Sequence, residues 1–225
     1  MNKTSMISVM AVAGLVTAAG VASADTVLVT MRYDSLAGSY DSAMNQFEAH
    51  AVNSATLKTS GSVSRLVPTA GTAMFEPGFV SGANPADFNI NVTAMPTMNP
   101  SIRVGTGTFT SIDRDGDMIT GDVTGTWVAT PVYTFFNGSL SNVRIIRSIS
   151  EGTTFNGTDG GSWDLGLPAP EPYTGAVIQL VFGNPNFFNT SFSNRATGLT
   201  AQLVPAPGAL ALVGLGGLAM ARRRR

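Results

Sequence analysis

Three aspartates at alternate positions, Asp113, Asp115 and Asp117 around Gly116, are the residues of this chain best spaced for chemistry. Alternate carboxylates in a loop can ligate Ca²⁺, which takes six to eight oxygens. A complete calcium loop of the helix–loop–helix kind also needs glycine at its sixth position and an acid at its twelfth. Counting from Asp113, those places hold Met118 and Thr124. The pattern breaks there, and Asp-Gly is what a tight hairpin turn requires. The expectation is a hairpin tip whose aspartates face water, with a loose surface Ca²⁺ site on Asp113, Asp115 and Asp117 as the alternative. No other metal and no cofactor is expected.

The remaining candidates are thinner. His50 is the only histidine, so a Ser–His–Asp triad would have to use it. Neither G-x-S-x-G nor H-E-x-x-H occurs. Gly105-Thr106-Gly107 is half of a dinucleotide fingerprint without a following helix. Glu48, Glu76, Glu151 and Glu171 are the only glutamates, and none sits in a catalytic pattern. The expected function is non-catalytic. A secreted hydrolase is the remote alternative, since carboxylate pairs are defined by space and not by spacing in sequence. Phe187, Phe188 and Phe192, among Asn184, Asn186, Asn189 and Asn194, form the other cluster of interest. Exposed, they would make an aromatic and amide surface for a sugar, as in a carbohydrate-binding module. Large aromatics usually bury, so the competing expectation is that they cap a core.

The elements that must hold these residues are strands. The body is rich in Thr, Val, Ser, Gly and Asn, which favour strands and turns. Val27, Val29 and Met31 alternate with Leu28, Thr30 and Arg32, which predicts a first strand. Residues 40–52 fit a strand or a helix, and the surroundings favour the strand. Further strands are expected over 72–75 and 87–92. The clearest hairpin is 102–128, turning at 113–117. Its second arm should send Ile119, Gly121, Val123, Gly125 and Trp127 to the core, and Thr120, Asp122, Thr124 and Thr126 to solvent. A strand over 139–149 would place Arg147 on the face of Val143 and Ile145, which requires a strand end or a carboxylate partner. Residues 174–182 are apolar on both faces and suit a central strand, and 198–204 alternate up to Pro205. Many short strands between turn signals predict an all-β fold, an antiparallel β-sandwich with jelly-roll-like connections. A closed β-barrel is the alternative.

Charge and composition narrow the partners. All 14 Asp and Glu lie within residues 25–204, whereas Lys3 and Arg222 to Arg225 lie outside that span. An acidic body has no electrostatic footprint for nucleic acid. Cys is absent, which excludes thiolate metal sites and disulfides. Roughly 180 residues suffice for one core.

The two ends carry targeting signals. Residues 1–24 have a basic start at Lys3, an apolar stretch from Ile7 to Val21, and the A-x-A site Ala22-Ser23-Ala24. This is the layout of a secretory signal peptide, an N-terminal signal helix cut before Asp25, and it implies the Sec translocon and signal peptidase as partners. At the other end, Pro205-Ala206-Pro207 precede an apolar run from Gly208 to Ala221 and then Arg222, Arg223, Arg224 and Arg225. As a helix this C-terminal run spans about 21 Å, against about 30 Å of hydrocarbon. Short and glycine-bearing, it suits transient insertion in the membrane as a transmembrane helix, with the arginines held on the cytoplasmic side.

A short Pro motif, an apolar helix and a terminal arginine cluster resemble the PEP-CTERM sorting signal of bacterial exported proteins. The resemblance covers residues 205–225 only, with Ala206 where that family carries glutamate. It implies an exosortase-like membrane protease as partner. It also implies delivery of the 25–204 domain to the cell surface or an extracellular matrix of exopolysaccharide.

Overall fold

In a computed structural model, residues 26–80, 86–148, 152–169, 171–183 and 186–206 are described. The expected signal helix at 1–24 and apolar helix at 208–221 lie outside them. Among the described residues there is no helix. The chain runs through β1 (Val29–Asp41), β2 (Gln46–His50), β3 (Ser60–Arg65), β4 (Gly71–Phe75), β5 (Asp87–Thr93), β6 (Met95–Pro96) and β7 (Ile102–Ile112). It continues through β8 (Met118–Ala129), β9 (Tyr133–Ile146), β10 (Thr154–Asn156), β11 (Ser162–Asp164), β12 (Tyr173–Gly183) and β13 (Phe192–Val204). The expected all-β, antiparallel character is what is found. Strands β3, β10 and β11 were not foreseen, nor was the two-residue β6, which falls where a loop was expected.

All the pairings are antiparallel, and the main ones follow chain order. β1 pairs β2, then come β5, β7, β8, β9, β12 and β13, and β13 pairs β1 again. Neighbours next to each other in the chain, such as β7–β8–β9 and β12–β13, are joined as a meander, while β3 and β4 intervene between β2 and β5, and β10 and β11 between β9 and β12. β1 is the branch point. Its first half, Val29 to Asp34, pairs β3, and its second half, Ala37 to Asp41, pairs β2. The change of partner falls at an irregularity between Tyr33 and Leu36, where Ser35 has φ 61°. Such a bulge bends a strand and redirects its edge.

Alternation places the core. On β8, Ile119, Gly121, Val123 and Trp127 are buried as expected, while Thr120, Asp122, Thr124 and Thr126 lie on the other face. Ile178, Leu180 and Phe182 of β12 and Leu199, Ala201 and Leu203 of β13 are buried on the same principle. β12 lies between β9 and β13, the central position its apolar pattern predicted.

Large rings fill the interior against small residues on the facing strands. Phe47 stacks on Phe182 at 5.1 Å, and Trp127 lies 4.8 Å from Phe136. Gly105 and Gly125 pair directly across β7 and β8 in this region. A Cβ on Gly105 would come within 2.5 Å of the Thr93 carbonyl and 2.9 Å of Trp127 Nε1. That indole N–H donates to the same Thr93 carbonyl at 2.8 Å. Glycine is therefore needed at 105 for close approach. Gly105→Ala is expected to cost about 1–3 kcal/mol of unfolding free energy through overpacking, read by urea denaturation with tryptophan fluorescence. An unchanged midpoint would mean that the strands relax freely at this point.

Candidate functional site

The Asp113 turn joins β7 to β8, as expected, but its aspartates do not face water. Asp113 and Asp117 are fully buried, and Asp115 is partly buried. The sequence places them at the end of an alternating strand, where Phe109 and Ser111 already point inward, so Asp113 follows them into the core. Burial is tolerated because backbone N–H groups converge on the carboxylate. Asp113 Oδ1 accepts from the N–H groups of Asp115 and Asp117, both at 2.8 Å, and Oδ2 accepts from Asn156 N–H at 2.7 Å. Asp117 Oδ1 accepts from Ser148 N–H at 2.6 Å.

Asn156 is the far partner that sequence reasoning missed. Besides donating to Asp113, its carbonyl accepts from Arg114 N–H at 3.1 Å, and its Nδ2 donates to Asp115 Oδ2 at 2.8 Å. The turn thus pins the β10–β11 hairpin against the end of the sheet. Both Asp113 oxygens are occupied by donors, which leaves them poorly placed for a cation. Among the described residues no group of three His, Cys, Asp or Glu could hold a metal ion. The expected water-facing hairpin tip is therefore corrected to an inward cluster of Asp113, Asp115 and Asp117 that locks the turn.

Burial holds the Asp113 carboxyl above its ordinary value of 3.8, and the neighbouring Asp117 charge pushes the same way. The donors from Asn156, Asp117 and Asp115 pull it partly back. Nearby, Tyr33 donates or accepts at Ser111 Oγ, 2.6 Å away, and burial raises its phenol strongly.

The aromatic cluster takes the core-capping arrangement, and the sugar-surface alternative at Phe187, Phe188 and Phe192 is corrected. Phe187 and Phe188 are buried and Phe192 is partly so, which removes the exposed sugar surface and leaves the core-capping arrangement. Phe188 lies 4.5 Å from Tyr40 and 5.0 Å from Trp127. Its φ of 55° and that of Phe187, 24°, are left-handed values that a bulky residue adopts only when its surroundings impose them. Arg103 supplies part of that constraint. Its Nη1 donates to Tyr40 Oη, Asn45 Oδ1 and the Ala94 carbonyl at 3.0–3.2 Å, and its Nη2 donates to the Phe188 carbonyl at 3.1 Å. The guanidinium also lies 5.5 Å from the Phe188 ring and 5.8 Å from the Phe187 ring. A cation over these rings adds about 0.5–2 kcal/mol.

Other candidates are placed plainly. His50 ends β2, and its Nδ1 lies 3.8 Å from Glu48 Oε1 in a half-exposed pair. Arg147 is exposed just past the end of β9, the strand-end position its pattern required. Pro205 is buried and Ala206 partly buried directly after β13. Ala22, Ala24, Asp25, Pro207 and Arg222, Arg223, Arg224 and Arg225 lie outside the described residues.

Two arginines escaped notice. Arg103 and Arg65 both face inward on alternating strands, the signal that did mark Arg147. Arg65 shares a face with Val63 and is buried at the end of β3. Compared with family models, with curated proteins and with solved structures, the chain matches none.

Two outcomes follow from these placements. Asp113→Ala leaves three backbone N–H groups without their acceptor and is expected to cost about 2–4 kcal/mol at pH 4. A raised native pKa means that Asp113 favours the fold most below its unfolded value, and that this contribution is lost as pH rises through the native value. The deficit of the variant should therefore be smaller at pH 7 than at pH 4 in urea unfolding, and an equal or larger deficit at pH 7 would contradict the assignment. Phe188→Ala should cost about 3–5 kcal/mol, as core phenylalanines do. A near-neutral thermal shift would instead return Phe188 to the surface.

Proposed function

We propose that this chain is an exported, non-catalytic β-domain protein that acts at the cell surface or in the extracellular matrix. The signal peptide at 1–24 would bring residues 25–204 out of the cytoplasm through the Sec translocon. The tail at 205–225 would pass through the membrane transiently and be sorted by an exosortase-like protease. Extracellular polysaccharide is the partner that the PEP-CTERM resemblance implies.

The observation that carries this reading is the pairing of two targeting patterns with the way the body brings its ends together. Val29 pairs with Leu203, and Leu28 N–H donates to the Leu203 carbonyl at 2.8 Å. The residues to which the two signal-bearing segments attach therefore lie side by side at one end of the body. Buried Pro205 further supports a cut at or beyond Ala206, because a protease needs an extended, accessible chain. The locked carboxylates of the Asp113 turn and the half-exposed His50–Glu48 pair supply no evident acid–base machinery.

We also infer a closed barrel in preference to the sandwich. The sequential pairing that returns to β1 supports it, and eight strands give an interior that side chains alone can fill. The outward residues of β8, Thr120, Asp122, Thr124 and Thr126, suit water and not lipid.

The tail is tested by fusing residues 203–225 to a secreted reporter in a bacterium that carries an exosortase. The expected result is envelope retention followed by release of a shortened reporter, both lost when Arg222 to Arg225 are replaced by alanine. A reporter that is exported, stays at full length and never associates with the envelope overturns the sorting reading.

A further inference from the structure

Arg65 is the most deeply set cation among the described residues, and its partners there are incomplete. It is 5% exposed, and among the described residues it has no carboxylate partner. Its Nε donates to the Val67 carbonyl at 3.1 Å, and its Nη1 donates to the Asp164 carbonyl. Its Nη2 has no hydrogen-bond partner among the described residues. A guanidinium removed from water normally finds an anion, because burying a charge without one costs several kcal/mol.

The unpaired side opens on a groove. Arg65, Thr69, Ala70, Gly71, Thr154, Ser162, Trp163 and Asp164 line about 350 Å³ between the β3–β4 connection and the β10–β11 hairpin. That volume is in the range of small-molecule sites. A second group on the wall is also unsatisfied. Trp163 is 3% exposed, and its buried Nε1 has no hydrogen-bond partner among the described residues. The rest of the wall is rich in hydroxyl groups, from Thr69, Thr154 and Ser162. Asp164 contributes a carboxylate whose Oδ1 already accepts from Gly166 N–H at 2.7 Å, which leaves Oδ2 for another donor.

These groups ask for two chemistries in one ligand. A planar anion matches the free side of Arg65, since the guanidinium fork pairs with a carboxylate through parallel N–H bonds. Hydroxyl groups on the same ligand match Asp164 Oδ2 as acceptor and the Thr and Ser side chains as mixed donors and acceptors. A simple anion would leave Asp164 opposing it. A neutral sugar would leave Arg65 unpaired.

We propose that the Arg65 groove binds a carboxylate-bearing sugar, with the carboxylate on Arg65 and ring hydroxyls on Asp164 and the surrounding hydroxyl side chains. This site is separate from the Phe187, Phe188 and Phe192 cluster. It does not rest on the sorting tail, since a failure of either leaves the other standing.

The probes are digalacturonate, its neutral methyl ester and acetate, titrated into the full-length chain by calorimetry. Digalacturonate is expected to bind, with the ester at least tenfold weaker and acetate unable to compete at equal concentration. Arg65→Lys keeps the charge but loses the fork, and is expected to weaken digalacturonate at least tenfold. Because Arg65 is buried, that variant could lose stability, so Ala70→Glu serves as the second. Ala70 is exposed on the groove wall, and a carboxylate there should weaken the acidic probe severalfold while leaving the unfolding midpoint unchanged. Equal binding of acid and ester overturns the role of Arg65. Acetate competing as well as digalacturonate overturns the sugar assignment. Absence of binding by digalacturonate, or binding indifferent to Ala70→Glu, overturns the site.

Discussion

The pairing of β1 with β13 is the constraint on which the rest of the structure depends. β1 has three partners, and β13 takes one edge of it along almost its whole length. Without that contact, the edges of β1 and β13 would both present unpaired N–H and C=O groups, an invitation to pair with other chains. With it, the succession of paired neighbours from β1 to β13 returns to β1, and β3 and β4 are paired onto the first half of β1. The contact joins residues separated by nearly the whole domain, for example Val29 and Leu203. It cannot form until the chain between them is in place, so its closure entropy is high and its formation belongs late in folding.

What closes at the edges must also be filled inside. Phe47, Trp127, Phe136, Phe182 and Phe188 meet toward one end, and the glycines of β7 and β8 leave room for them. Large rings against bare backbone give dense packing without overpacking, provided that the glycines stay glycine. The 186–191 loop completes this end by turning Phe188 inward, and Arg103 ties the loop carbonyl to Tyr40, Asn45 and Ala94. Arg103 meets its charge with carbonyls, an amide and ring faces. Arg65, at the other end, is buried and among the described residues has two carbonyls and no cation–ring contact, which is why it, and not the partly buried Arg103, asks for a ligand.

Local pattern made much of this legible. The alternation of β8 assigned Ile119, Val123 and Trp127 to the core, and Asp-Gly located the turn, because strand faces and tight turns are decided within a few residues. The role of the turn's aspartates was not legible. Asp113 is held by Asn156 and Asp117 by Ser148, partners dozens of residues away, and nothing in an Asp-rich turn distinguishes outward carboxylates from inward ones. Strand β3 was invisible because Ser60-Gly61-Ser62-Val63-Ser64-Arg65 carries one apolar residue and turns its arginine to the inside. The phenylalanines of the 186–192 segment could be read either way, since composition does not say which way a loop folds. The reading of the chain ends as targeting signals rests on hydropathy and charge order alone, properties independent of the body's fold.

The two ends of the domain are chemically unlike, and that polarity bears on how it can work. At one end lie the first and last residues of the body, the Asp113 turn and the Arg65 groove. This follows from the antiparallel order, which brings the start of β1 beside the ends of β3 and β13. At the other end lie the aromatic plug and exposed Met44, Met98 and Val132. A tail leaving after Pro205 would therefore root the domain by the same end that carries the groove.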